Sequence, residues 1–442
     1  MSGCLKVIAF SLVVSLLCAG CGGSGGPLVL TKVGADPATS TAGLPLDITV
    51  AATEGGSGKA GVAVSFEVDL GGGKLSQSTV TTDGAGKATV SWTIGTAPVK
   101  NAVSASVSNG DAGTLSVSFE TVAKPDKPLA PDWFADVNKY MTDNKLDGST
   151  EDLAFSLDGK KIAMGIPGGV LTVDSAGAIS SLPLTGDKLG TLLGLDYDSD
   201  GNIWLCDNGN GKDISAAVRM ISSGGVVSTV ITDDGAGTKL GKPNFIVAAP
   251  DGQIYFTDPC IGKVLRWDPV AKKITGSITV DYKTEGGPNG IAIDSTGKKL
   301  YFTTENTAAL CGHSDVDFET KNSALFFSTI TADALLNKTA IKENFAHFGD
   351  GVTFDGEGNL YAIFDNIDFK KLTLKDSTVW VMPAGQTELY KYLQTTDRIM
   401  ANLTFGKGDF GDTTMYISLL ASIGVPAEAR GLNRFVVGIK GQ

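Results

Sequence analysis

Apolar and polar residues alternate strictly in three early stretches: Val62-Ala63-Val64-Ser65-Phe66-Glu67-Val68, Ala88-Thr89-Val90-Ser91-Trp92-Thr93-Ile94 and Leu115-Ser116-Val117-Ser118-Phe119. A period of two puts one side-chain set on a buried face and the other on a wetted face, as in half-buried antiparallel strands. Gly71-Gly72-Gly73 and Asp83-Gly84-Ala85-Gly86 separate these runs as turns. The spacing predicts a β-sandwich over residues 27–122. Ala123-Lys124-Pro125-Asp126-Lys127-Pro128-Leu129-Ala130-Pro131 follows, a proline-rich stretch that predicts a semi-rigid linker over 123–146. Residues 132–146 add one short helix or a leading strand.

From 147 to 442 the pattern changes to a repeat. A turn glycine recurs and an apolar or aromatic strand follows it: Gly159 before Ile162, Gly201 before Ile203-Trp204, Gly252 before Ile254-Tyr255, Gly297 before Leu300-Tyr301, Gly358 before Leu360-Tyr361, and a degenerate Gly411 before Met415-Tyr416. Repeats of strand–turn–strand content every 40 to 60 residues or so predict propeller blades. Six copies predict six blades, with Asn433–Ile439 as the closing strand. The fold class expected is therefore all-β, a sandwich followed by a six-bladed β-propeller.

Composition narrows the chemistry. The chain has 442 residues, with 36 Lys and Arg against 48 Asp and Glu, for a net charge of −12. An acidic chain without a basic tract does not bind nucleic acid, because phosphate neutralisation needs clustered cations. Two histidines, His313 and His347, exclude a three-histidine zinc site. A monomer is expected.

The first 21 residues carry an early Lys6 and an apolar run from Val7 to Leu17, too short for a bilayer that takes about 20 residues. Leu17-Cys18-Ala19-Gly20-Cys21 then resembles the lipobox of a bacterial lipoprotein, with Cys18 where the pattern prefers leucine. Residues 22–26 form a Gly/Ser tether. Their formal G-x-S-x-G match lacks the strand and helix that a nucleophile elbow requires. The resemblance implies lipidation of Cys21, a membrane anchor, and an outer-membrane address in the cell envelope, since Gly22 is not aspartate. Cys206, Cys260 and Cys311 would remain in the mature chain. Either Cys260 pairs with Cys311, both following corresponding strands, or all three stay as thiols.

Eight residues before the turn glycines stand Glu151, Asn244, Asn289 and Asp350; at the other two, Leu193 and Leu403 occupy the position, with Asn402 beside the latter. Equivalent positions on innermost propeller strands converge on the central channel. Two carboxylates and two amides meeting there, without sulfur or imidazole, suit a hard cation. Ca2+ is the first expectation, with Mg2+, Mn2+ and Zn2+ as alternatives. The competing reading is that these residues cap strands and turns. His347, three residues before Asp350, could supply a base at the channel mouth or be an exposed loop residue. Asp207, Asn208 and Asn210 could line the same face, with turn-making the better expectation.

The segments Thr41–Leu46, Gly61–Phe66 and Thr82–Val90 resemble an invasin-type bacterial immunoglobulin-like domain, which implies a spacer or adhesion module. Lys242-Pro243-Asn244, Ile254–Pro259, Gly287–Ala292, Gly349-Asp350-Gly351 and Asn402–Gly406 resemble the gluconolactonase / senescence marker protein (regucalcin) family. That resemblance implies one divalent metal in the channel, bound by Glu151, Asn289 and Asp350, and hydrolysis of a sugar lactone or related ester. It implies that Asn244 contacts the metal's water or the substrate, that Asp350 is the acid/base, and that Lys242 replaces a substrate-binding arginine, without the bidentate fork. Asp152-Leu153 and Phe245 depart from the family's usual neighbours. Ala308–Asp315 and the widest repeat step, Gly297 to Gly358, predict an insertion over the active face. The rival reading is a non-catalytic envelope propeller that binds a carbohydrate or protein partner, its metal structural.

Overall fold

The computed structural model describes residues 26–442 except 97–98, 126, 147–149, 308–310, 333, 345, 369, 372 and 421–429. The signal segment, Cys21 and the tether up to residue 25 lie outside the described residues. Among the described residues no helix is long and apolar enough to cross a membrane.

The early alternation folds as predicted. Leu28–Lys32, Pro45–Glu54, Lys87–Ile94 and Gly73–Leu75 form one sheet, with Ser57–Gly58 on its edge. Thr39–Thr41, Thr114–Lys124, Lys100–Ser108, Ala63–Leu70 and Thr79–Thr81 form a second. Val64, Phe66, Val90, Trp92 and Phe119 meet in one buried cluster between them, while Ser65, Glu67 and Thr93 stay outside. This burial of alternate residues makes the two sheets a sandwich.

Among the described residues six antiparallel blades of four strands follow; Thr185–Gly186 adds a short parallel strand to the second, and the Glu305–Phe348 bridge joins the fourth and fifth into one sheet. Their innermost strands are Ala154–Phe155, Leu192–Tyr197, Ile246–Ala248, Gly287–Ile293, Phe348–Phe354 and Ile399–Phe405, which define the first to sixth blades. Residues of all six line one central cavity of about 220 Å3, so the sheets form a ring around a channel. All six predicted turn glycines have positive φ, from 64° to 82°. A β-carbon is strained in that region, which explains why glycine marks each hairpin.

Closure differs from the sequence expectation. Gly431–Val436 is the third strand of the sixth blade, and Asp132–Ala135 pairs antiparallel with it as the outermost fourth. The closing strand thus comes from the segment read as linker, before the first blade rather than after the last. A helix, Val137–Asp143, follows, capped by the Asp136 carboxylate on the Lys139 amide at 2.9 Å. It buries Val137 and Met141 beneath the first blade. The proline-rich stretch is also docked. Leu129 donates its amide to Tyr392 (2.7 Å) and accepts from the Gln394 amide (2.8 Å), on the outer strand of the fifth blade.

A chain beginning at residue 147 would lose this fourth strand and the buried Val137 and Met141, each worth about 1.5–3 kcal/mol of apolar burial. At roughly 2–4 °C per kcal/mol, its melting temperature should fall by about 10 °C or more relative to a chain beginning at residue 128, as measured by circular dichroism.

Candidate functional site

The inner strands enter the ring at the end where the second strands leave it, because the two run antiparallel. Glu151, Asn244, Asn289 and Asp350 all sit at that end. Asn244, Asn289 and Asp350 are 2, 1 and 7% exposed, and Glu151 is half-buried. Glu151, Asn244 and Asp350 come together directly, and Asn289 is linked to them through Glu305. The Asn244 side chain is hydrogen-bonded to the Glu151 carboxylate, and Asp350 lies within the electrostatic reach of Glu151.

Burial pushes Glu151 up to about 7. Asp350 is held well above the usual carboxylate range, by burial first and then by the charges of Glu151, Asp365 and Glu305. Charging either group means taking a carboxylate out of water beside another one.

Two further acids close the mouth. Glu305 ends the second strand of the fourth blade and Asp365 lies on that of the fifth. Glu305 and Phe348 form a cross-strand bridge, and Phe348 pairs in turn with Asp365. Burial raises Glu305 well above its ordinary value, the Glu151 charge adds to that, and Lys242 offsets part of it. Asp365 is pushed up to about 8 by burial. Glu305 is hydrogen-bonded to the Asn289 side chain. Because this bond favours the charged form of Glu305, the Asn289 amide nitrogen is its donor, and the amide oxygen turns elsewhere. That oxygen, Oδ1, is buried without a protein partner.

An orphaned amide oxygen at a mouth that also holds the Glu151 and Asp350 carboxylates suits a hard divalent cation, with Glu151, Asn289 and Asp350 as the residues that would supply oxygen donors. Among the described residues, no three Asp, Glu, His or Cys side chains come together as a metal-binding group, so such a site would depend on the amide.

Other side chains position this set. The Asp258 carboxylate accepts from the amides of Gly241 (2.7 Å), Lys242 (3.1 Å) and Cys260 (3.1 Å). It thereby fixes the loop that delivers Lys242 and Asn244. Asp207, in a matching place one blade earlier, pairs with buried Arg219 at 2.6 Å and accepts from the amides of Gly190 and Gly209. Asn210 accepts three amides of its own turn, as expected of a turn-former. Cys260 and Cys311 form a disulfide, and Cys206 is a buried thiol. The bridge ties the long connection after Glu305 to the Asp258 loop, at the site end of the ring. A Lys283–Asp315 ion pair of 2.7 Å holds the same connection.

His347 is not an exposed loop residue. It is 2% exposed, and its Nδ1 accepts from the Ile367 amide at 3.3 Å. Burial, with the charges of Lys321 and Lys375, lowers its pKa. Asn402 does not join the quartet. Its amide donates to the Asp152 carboxylate, which also accepts the Leu195 amide (2.8 Å), on the side of the ring that faces the central cavity. Glu305 and Asp365 escaped the count because it ran backwards from the hairpin along first strands only. The available signal was an apolar second strand with an acid at or near its end: Ile203–Asp207, Ile254–Asp258, Lys299–Glu305 and Leu360–Asp368.

No family model matches the chain. A curated gluconolactonase of Zymomonas mobilis is 24% identical over 179 residues, covering 38% of this chain and 48% of that protein. The chain thus spans about half the length of the curated relative it matches. Among solved structures, a gluconolactonase from Xanthomonas campestris aligns with a TM-score of 0.46 and 19% identity, over 62% of this chain and 86% of that one. A luciferin-regenerating enzyme aligns with a TM-score of 0.46 and 12% identity, over 66% and 93%.

The buried acids set a pH dependence. Glu151 (about 7) and Asp365 (about 8) hold protons in the folded chain that they release near 4 when unfolded. Stability from these groups is greatest at low pH and declines as pH rises through 7 and 8. In chelator, the melting temperature should fall between pH 5 and 8, and Glu151→Gln should flatten part of that slope.

Proposed function

We propose that the channel mouth binds one divalent cation, Ca2+ first, and hydrolyses a sugar lactone or related ester. The observation that carries this reading is the convergence of Glu151 and Asp350 beside the partnerless Oδ1 of Asn289. The similarity to a gluconolactonase supports the substrate class.

When bound, the cation would supply Lewis-acid polarisation of the substrate carbonyl. Lys242, half-buried beside the site, would offer its charge to a hydroxyl-rich or anionic substrate, and Asn244 would orient it by hydrogen bonding. Asp350 would take a proton from the attacking water as the new carbon–oxygen bond forms. It would return that proton to the ring oxygen as the ester bond breaks, leaving a hydroxy acid. Burial and the neighbouring acids raise Asp350 above the ordinary carboxylate range, which favours a carboxyl able to hold the proton between the two halves of that transfer.

The sandwich would act as a spacer of the invasin type, and the chain would be tethered at Cys21 to the outer membrane. The disulfide favours an oxidising compartment, which agrees with an envelope address.

A panel of lactones and aryl esters, assayed with Ca2+, with chelator and with Asp350→Asn, tests the reading. Turnover should vanish in chelator and fall by about 100-fold or more in the variant. Silence across the panel with a Ca2+-dependent rise in melting temperature would instead favour the non-catalytic binding protein.

A further inference from the structure

A single hydroxyl sits between neighbouring blades at three places in the ring. Thr257 follows Phe256, which pairs with Ile246 of the third inner strand. Its Oγ1 accepts from the Phe245 amide (3.0 Å) and donates to the main-chain oxygen of Asn289 (2.7 Å) in the next blade. Thr303 follows Phe302, which pairs with Ile291. Its Oγ1 accepts from the Gly290 amide (2.9 Å) and donates to the main-chain oxygen of Asp350 (2.5 Å). Ser418 follows Ile417, which pairs with Leu403. Its Oγ accepts from the Asn402 amide (2.9 Å) and donates to the main-chain oxygen of Glu151.

The remaining blades carry Gly165, Cys206 and Ile363 at the equivalent register, the last two after Leu205 and Ala362, with the register of the first blade set by Ala154 opposite Ala163. Where Cys206 stands, the Asn244 oxygen is met directly by the Gly194 amide at 2.6 Å. The three hydroxyls therefore fall at the boundaries that lead into Glu151, Asn289 and Asp350. All three are bound on both sides, so each locks the backbone of one site residue to the blade before it.

We propose that Thr257, Thr303 and Ser418 are positioning residues. They fix the main chain of Asn289, Asp350 and Glu151 so that the three oxygen donors meet at cation-binding separation. The inference rests on the cation reading above and deepens it. Thr303 has the sharpest role, because one oxygen holds both the residue after Asn289 and Asp350 itself. The adjacent Thr304 is equally buried, but its hydroxyl accepts only the Ala324 amide (2.8 Å) within its own blade.

That neighbour supplies the control. Ca2+ affinity is measured from the Ca2+-dependent shift of melting temperature in the full chain and in Thr303→Val, Thr303→Ser and Thr304→Val. Loss of an outer partner of a metal ligand typically weakens binding by about 10–100-fold. Thr303→Val should weaken Ca2+ binding by about that factor, Thr303→Ser by no more than roughly threefold, and Thr304→Val should bind as the parent chain does. A merely structural role would lower the melting temperature of both valine variants alike and leave Ca2+ affinity untouched, which overturns the inference. If Thr303→Val does not fold, Thr257→Val is read by the same measure. If the parent chain responds to no Ca2+, Mg2+ or Mn2+, the cation reading itself falls and takes this inference with it.

Discussion

The ring works only because its ends are joined. Glu151 and Asp350 are 199 positions apart in number but meet across a channel, and nothing local holds them there. Three contacts between the sixth blade and the first do so: the Asn402 amide on Asp152, the Ser418 hydroxyl on the Glu151 oxygen, and the Thr150 hydroxyl on the Leu419 oxygen at 3.3 Å. The strand Asp132–Ala135 completes the sixth sheet from outside, so that blade is assembled from both sides of the ring. Closure of this kind removes a pair of exposed sheet edges and fixes the inner register at the same time.

Within the closed ring, burial and charge oppose each other. Glu151, Glu305, Asp350 and Asp365 crowd one mouth, and each is raised by burial. Four ionised carboxylates in so little water would repel strongly. Lys242 offsets part of this at Glu305, and protonation offsets more. Protons relieve that repulsion at low pH, and the proposed divalent cation would relieve it at neutral pH, because one ion would face several acids at once. The amide oxygen of Asn289 biases that choice. It gains nothing from a proton, yet it can donate a lone pair to a metal.

Much of this was legible in the sequence because it is written in local rules. A strand with one wet face must alternate, and a tight hairpin must place a residue at positive φ. The sandwich strands and all six blade glycines follow from those two constraints. The convergence of Glu151, Asn244, Asn289 and Asp350 followed from the shared offset. What stayed hidden depends on contacts without a local signature. Residues 132–146 read as a short helix or a leading strand and supply both, but only the partner Gly431–Val436 shows that Asp132–Ala135 belongs to the sixth blade. Glu305 reads as the end of an apolar strand, and only the neighbouring blade shows which way it faces. His347 precedes a strand that begins at Phe348, and only the folded chain shows that it is buried there.

The hydroxyls show the same division at finer scale. Threonine is a common strand residue, so Thr257 and Thr303 carry no message when read alone. Their register does carry one. Each lies one residue past the partner of an inner-strand apolar side chain, and each therefore points at the boundary with the next blade. Valine would fill the same space with the same strand preference, but would leave a carbonyl and an amide unbonded in the dry interior. The amide that each hydroxyl accepts from lies in its own blade, and the carbonyl it donates to lies in the next. A single oxygen thus converts the packing of two sheets into a fixed distance between two backbones. The apolar side chains packed between blades tolerate small slides. Where a donor atom must be held to a few tenths of an ångström, a directional bond is the more exacting constraint, and it is found at the boundaries that lead into Asn289, Asp350 and Glu151.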